Sequence, residues 1–299
     1  MSTVPRRDFL KASSLATAGM ILPRLFAAET PRKRPNIHKG IMYQTIGYKG
    51  SVMEKFKACK EAGFEGIEAM SHMNQDEVLA ARDTTRLKIP SVCCNTHWQL
   101  KLTDPNPAGR ERGREGLEQA LRDAHRYGAR SVLLVPGVVD KQTSYADAYT
   151  RSQEQIRKAL PLADELKVKI AIENVWNNFL LSPLEAARYV DELQSPWVGW
   201  HFDVGNVIHY GWPEQWVRIL GKRIVTLHIK EFSRKRAEEE GRRKGFDVEF
   251  LKGDDNWPEV MKALDEVGFE GWGIAEQPGG STLEGLKKLA EEMDRIFAS

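Results

Sequence analysis

Residues 168–206 read VKIAIENVWNNFLLSPLEAARYVDELQSPWVGWHFDVGN. Two apolar runs, VKIAIEN and VGWHFDVGN, flank SPLEAARYVDEL. In that middle segment Ser182 has the chemistry of a helix N-cap, and Pro183 suits the first helical position. A strand–helix–strand order implies parallel strands. The two runs are apolar on both faces, as strands covered by helices are. Yet each run carries a carboxylate near its end, Glu173 in one and Asp203 in the other. A carboxylate there is costly to desolvate unless something pairs with it.

The same alternation runs outward through the 299-residue chain. Strands are predicted at 39–47, 65–70, 89–98, 131–137, 168–174, 198–206, 224–231 and 271–279. Helices are predicted at 51–63, with Ser51 as cap and Gly63 as stop, and at 74–88, capped by Asn74. Further helices fall at 108–128, 144–167, 182–193, 212–221, 257–268 and 281–298, and Pro161 predicts a kink or a division in the 144–167 helix. Eight such units define an α/β chain that folds as a single-domain (β/α)8 TIM barrel over 37–299. An open doubly wound sheet is the alternative, but no glycine-rich phosphate turn follows the first strand.

The first residues have a different character. Arg6 and Arg7 precede DFLK, a weakly apolar stretch from Ala12 to Leu22, and the small pair Ala27–Ala28. This resembles a twin-arginine export signal, with Pro5 where Ser or Thr is usual. It implies a signal peptide at 1–28, a polar linker at 29–36, and a periplasmic or otherwise exported protein. The apolar stretch is too short for a stable membrane anchor. Arg6, Arg7, Lys11 and Arg24 against Asp8 amount to three net positive charges, so removing 1–28 takes the formal +2 to about −1. That balance argues against a nucleic-acid partner. Cys59, Cys93 and Cys94 form no CxxC pair and predict no disulfide framework.

In a barrel of this kind, chemistry sits at the C-terminal ends of the strands. Strands 5 to 8 end in Glu173, Asp203, His228 and Glu276. Neighbouring strand ends converge on one rim, where three carboxylates could not all stay ionised without a cation. Oxygen ligands with one imidazole suit one divalent ion: Mn²⁺, Mg²⁺, Co²⁺ or Zn²⁺.

The motifs IEN, FDVGN, LHIKE and AEQ, which contain these residues, resemble the sugar phosphate isomerase/epimerase superfamily. These are the xylose isomerase-like barrels, which include the ketose 3-epimerases and the endonuclease IV family. The resemblance implies that Glu173 and Glu276 both bind metal and move protons. The ion would grip a carbonyl oxygen and a neighbouring hydroxyl of a carbohydrate or keto-sugar and stabilise the enediolate left when the α-proton departs. One glutamate would take that proton and the other return one. His201 and Lys230 share strand faces with the ligands and are candidate substrate contacts. So are Glu68 at the end of strand 2, His97 at the end of strand 3 and Trp176, which could stack on a sugar face. Tyr43 and Gln44 lie near the end of strand 1.

Asn206 stands where the 3-epimerases and endonuclease IV carry a histidine, three residues after the strand-6 aspartate. No Asp-x-His pair occurs in 232–256, so one metal is expected rather than three. Residues 233–256 hold seven positive and seven negative side chains and read as a loop that could cover the site, with Arg234 reaching substrate.

The leading function is a metal-dependent isomerase or epimerase. The alternative is a 3-keto-glycoside lyase that eliminates after the same proton removal. A nuclease and a non-catalytic sugar-binding barrel are less favoured. Export argues against phosphorylated sugars, and the sequence leaves homo-oligomerisation open.

Overall fold

A computed structural model describes residues 36–299; the expected signal peptide at 1–28 and the expected linker up to residue 35 lie outside the described residues. Eight parallel strands close into a barrel in sequence order. They are β1 (Ile37–Met42), β2 (Gly66–Met70), β3 (Ser91–Cys93), β4 (Ser131–Leu134), β5 (Lys169–Glu173), β6 (Val198–Asp203), β7 (Ile224–Ile229) and β8 (Gly271–Ala275). The surrounding helices are α1 (Val52–Glu61), α2 (Gln75–Thr85), α3 (Pro107–Tyr127), α4 (Tyr145–Leu166), α5 (Pro183–Glu192), α6 (Gly205–Ile208), α7 (Pro213–Leu220), α8 (Arg234–Glu240), α9 (Trp257–Glu266) and α10 (Leu283–Phe297). Among the described residues no helix is long and apolar enough to cross a membrane.

The caps act as the sequence implies. Ser51 accepts from Glu54 N–H while Glu54 reaches back to Ser51 N–H, and Asn74 accepts from Asp76 and Glu77 N–H. Strand alternation sorts the side chains into two layers. On β6, Trp200 and Phe202 pack outward against Trp216 of α7, with ring centroids 6.4 and 6.2 Å apart. His201 and Asp203 point inward. The outward residues join a large apolar layer between sheet and helices, while Met42, Met70, Cys93, Leu133 and Ile274 form a smaller cluster inside the barrel. Towards the N-terminal mouth Trp272 fills the interior. A Cβ on Gly66 would lie 2.6 Å from its ring, so that position requires glycine.

Besides β3, β4 and β8, which end at Cys93, Leu134 and Ala275 rather than at 98, 137 and 279, four features differ from the sequence reading. β1 ends at Met42, and Tyr43–Thr45 form a 3-10 turn. α4 runs unbroken through Pro161, which lies on its exposed face, where water can satisfy the carbonyl left without a donor. The end of the sixth predicted strand is the short helix α6.

The fourth difference is the 232–256 segment, which is structured: α8 and a 3-10 turn, Arg242–Phe246, fold into it. Its neck is tied on both sides. The Glu231 carboxylate accepts from Leu251 N–H at 2.7 Å and from the Trp257 indole at 2.9 Å. Phe232 N–H donates to Asp255 at 2.8 Å, and Asp254 N–H to Phe232 O at 2.8 Å. A run of mixed charge hides this structure, because the anchors are the few residues at its ends.

Candidate active site and metal centre

The C-terminal ends of β5 to β8 bring Glu173, Asp203, His228 and Glu276 together, with one donor atom from each within 4.8 Å of the others. Register explains the convergence. Glu173 pairs with His201 and Asp203 with His228, and Glu276 N–H donates to Ile229 O at 3.0 Å. His228 Nδ1 lies 3.1 Å from Glu173 Oε1, 3.1 Å from Glu276 Oε2 and 3.8 Å from Asp203 Oδ2.

The other nitrogen of His228 is committed. Nε2 bonds to Glu68 Oε1 at 2.9 Å, and Ser91 Oγ donates to Glu68 Oε2 at 2.5 Å. Burial opposes charge on Glu68, but the His228 and His201 rings outweigh it and hold the carboxyl below its usual range. With Nε2–H given to Glu68, Nδ1 faces three carboxylates. A bare lone pair there is repelled by them, so Nδ1 needs a proton or a metal ion. Without a cation the proton stays: burial opposes it, yet Glu68 and Glu276 raise His228 well above the ordinary histidine range. A divalent ion would take the proton's place and use the Nδ1 lone pair as a ligand.

The carboxylates fit the same ion. Asp203 Oδ1 accepts Asn206 N–H at 2.7 Å, and Oδ2 faces Lys230 and His228. Asp203 Oδ2 and Glu276 Oε2 are both buried, and neither accepts a well-directed hydrogen bond. Lys230 Nζ lies 3.0 and 2.5 Å from them as an ion pair. Burial opposes the charge of Lys230, but Asp203, Glu276 and Glu173 outweigh it and raise its pKa. Burial pushes the Glu173 carboxyl up to about 7, with His228 opposing and the charges of Glu276 and Asp203 reinforcing. Burial opposes charge on Glu276 too, but Lys230 and His228 outweigh it and hold that carboxyl well below the usual range. One ammonium and one imidazolium thus stand where a divalent cation would compensate three carboxylates.

A cavity of about 670 Å³ opens over this cluster, lined by Glu173, Glu276, His228 and Lys230. His97, Trp176, Asn206 and Gln44 also line it. The Trp176 indole donates to Asn206 O at 2.8 Å, and its ring lies 4.8 Å from that of Phe246. Asn206 Nδ2 donates to Asn174 O at 3.0 Å, and its Oδ1 lies 3.4 Å from Lys230 Nζ. A larger basin of about 1410 Å³ opens at the opposite, N-terminal mouth, and none of the four donors reaches it.

Three expected substrate contacts are elsewhere. Glu68 and His201 are 0% exposed and seal the barrel beneath the ligands. The His201 ring stands edge-on to His228 at 4.2 Å, and burial, then His228, push it down to about 3. Arg234 donates to Ile208 O at 3.0 Å and Gly211 O at 3.3 Å, so it braces the loop after β6. From the same segment Arg243 and Phe246 face the cavity instead.

Sequence reasoning also missed Asn174, the neighbour of Glu173 in the IEN motif. Its Oδ1 accepts from Asp203 N–H at 3.0 Å and from the Trp200 indole at 3.0 Å, and its Nδ2 donates to Asp203 O at 2.7 Å. It locks the tops of β5 and β6 together.

Comparison with known proteins agrees with this fold. Residues 56–298 match the xylose isomerase-like TIM barrel family, and the chain belongs to it. A putative L-ribulose-5-phosphate 3-epimerase of Escherichia coli (strain K12) is 26% identical over 251 residues, covering 79% of this chain and 87% of that protein. The crystal structure of an E. coli 3-keto-D-glucoside 4-epimerase superposes with a TM-score of 0.73 at 16% identity, over 88% of this chain and 100% of that one. The IolI protein with a bound zinc atom gives 0.70 at 15% identity, over 87% and 97%. At these identities the structural likenesses establish the fold.

Glu68 offers a direct test of the layer beneath the ligands. Glu68→Gln removes the anion that fixes the His228 proton at Nε2, so Mn²⁺ affinity measured by titration calorimetry should fall by about 10–100-fold. Unchanged affinity with an altered KM would instead make Glu68 a substrate contact.

Proposed function

We propose that this protein is a metal-dependent epimerase or isomerase of a carbohydrate carrying a carbonyl group, working by proton removal beside that carbonyl. The observation that carries the reading is a division among the ligands. Glu173 and Glu276 face both His228 Nδ1 and the cavity, whereas Asp203 is fully buried and does not line it. Asp203 is thus suited to holding an ion alone, and the two glutamates to holding an ion and exchanging protons with a ligand above it.

A divalent ion, when bound, supplies Lewis-acid polarisation of a carbonyl oxygen. The chain's own groups do the rest. One glutamate accepts the proton from the carbon beside the carbonyl, and the other delivers a proton to the opposite face or to the adjacent carbon. Lys230 Nζ, between Asp203 and Glu276, offers a positive charge to developing oxyanion character. Trp176 and Phe246 wall the cavity with aromatic surface and limit water. The relatives are named as sugar epimerases, which supports a small carbohydrate as the proposed substrate.

Glu173→Gln and Glu276→Gln each keep an oxygen ligand but lose the proton acceptor. Turnover on a panel of ketoses and 3-keto-glycosides should fall by about 10²–10⁴ while metal is retained. In D₂O the wild type should exchange the hydrogen beside the carbonyl of a true substrate. Near-normal turnover in both variants would reduce the glutamates to ligands, and release of an aglycone from a 3-keto-glycoside would assign a lyase.

We also propose that the protein is exported, on the strength of Arg6, Arg7 and the apolar stretch that follows. Replacing both arginines with lysine should leave the chain in the cytosol of its native host. Export that is indifferent to this change would dismiss the signal.

A further inference from the structure

His97 follows β3 on the cavity wall, and one of its ring nitrogens is committed. Val135 N–H donates to His97 Nδ1 at 3.1 Å. The reason lies in the strand lengths. β3 stops at Cys93 and β4 at Leu134, and Cys94 N–H to Leu133 O at 3.0 Å is the main-chain bond just past them. Val135 N–H lies beyond that ladder, and the imidazole is its acceptor.

A backbone N–H can only donate. His97 Nδ1 therefore carries no proton. An imidazolium holds a proton on both nitrogens, so the ring is neutral by geometry, and its one proton sits on Nε2. Burial agrees: the residue is 6% exposed, and desolvation pushes its pKa down to about 4, with Glu276 opposing. Nε2 makes no hydrogen bond with any described residue, is not sealed among the buried orphan atoms, and belongs to a side chain that lines the cavity.

We propose that His97 Nε2–H is a neutral, tautomer-locked donor that binds a substrate oxygen on the β3 side of the cavity. Its chemistry complements that of Lys230. The ammonium brings charge, whereas His97 can hydrogen-bond a carbonyl, hydroxyl or oxyanion without changing the charge of the site. A ring whose only lone pair is taken by Val135 cannot compete with Glu173 or Glu276 for the substrate proton. It orients the oxygen and leaves proton transfer to the glutamates. The substrate half of this inference rests on the proposed sugar chemistry; the tautomer half does not.

Two measurements on the folded chain test the two halves. In ¹⁵N-labelled protein, with the His97 signals assigned by their loss in His97→Gln, Nδ1 should be unprotonated and Nε2 protonated, unchanged between about pH 5 and 8. A proton on Nδ1, or titration of the ring near neutral pH, would overturn the locked tautomer.

On a keto-sugar that the wild type turns over, His97→Leu should lower kcat/KM by about 10²-fold or more. His97→Gln, which retains an N–H donor, should recover most of the loss, and Mn²⁺ affinity should be the same in all three. Wild-type kcat/KM in a folded His97→Leu would overturn the donor role. Inactivity of the wild type on every keto-sugar would remove the proposed function and with it the substrate half, while the nitrogen shifts still decide the tautomer.

Discussion

Three carboxylates and one imidazole are forced into mutual contact at the ends of β5 to β8, and the rest of the site is arranged around their charge. Like charges this close cannot all ionise alone. Lys230 and protonated His228 compensate part of the excess, and both owe their raised pKa to the carboxylates around them, against the pull of burial. A divalent ion answers the same demand with one group, and it explains why two buried carboxylate oxygens are left without hydrogen bonds.

Beneath the ligands lies a supporting layer. Ser91 holds Glu68, Glu68 holds His228 Nε2, and His201 packs against the His228 ring. Beside it, Asn174 joins β5 to β6 through the main chain of Asp203. His228 and Asp203 are thus fixed by neighbours that face away from the cavity, which is how an ion site keeps its geometry while substrate comes and goes. Above the ligands, the neck at Glu231, Asp254 and Asp255 sets where Arg243 and Phe246 meet the cavity.

The barrel and the four strand-end donors were legible in the sequence because both depend on period and order. Strand–helix alternation gives parallel closure, and a polar residue ending an apolar run marks the rim. Depth was not legible. Residues two apart share a strand face, but each such step moves about 6.6 Å along the strand. His201, two before Asp203, falls one layer below the ligands. Lys230, two after His228, rises into the cavity. Glu68 is the third residue of the five-residue β2 and lies in the lower layer, not at the rim. Arg234 was misplaced for another reason: its carbonyl partners lie 26 and 23 residues earlier, and no local pattern reports them. Asn174 was hidden beside a more conspicuous glutamate.

The central claim is that Glu173, Asp203, His228 and Glu276 form one divalent-cation site. Calorimetric titration of metal-stripped protein with Mn²⁺, with Asp203→Ala beside it, tests this most directly. Asp203 is fully buried and does not line the cavity, so its loss removes a ligand without removing a wall of the substrate space. One ion per wild-type chain is predicted, with binding in the variant weakened by more than the about 10–100-fold that loss of a supporting residue costs. Equal affinity and stoichiometry in the two proteins would contradict the site.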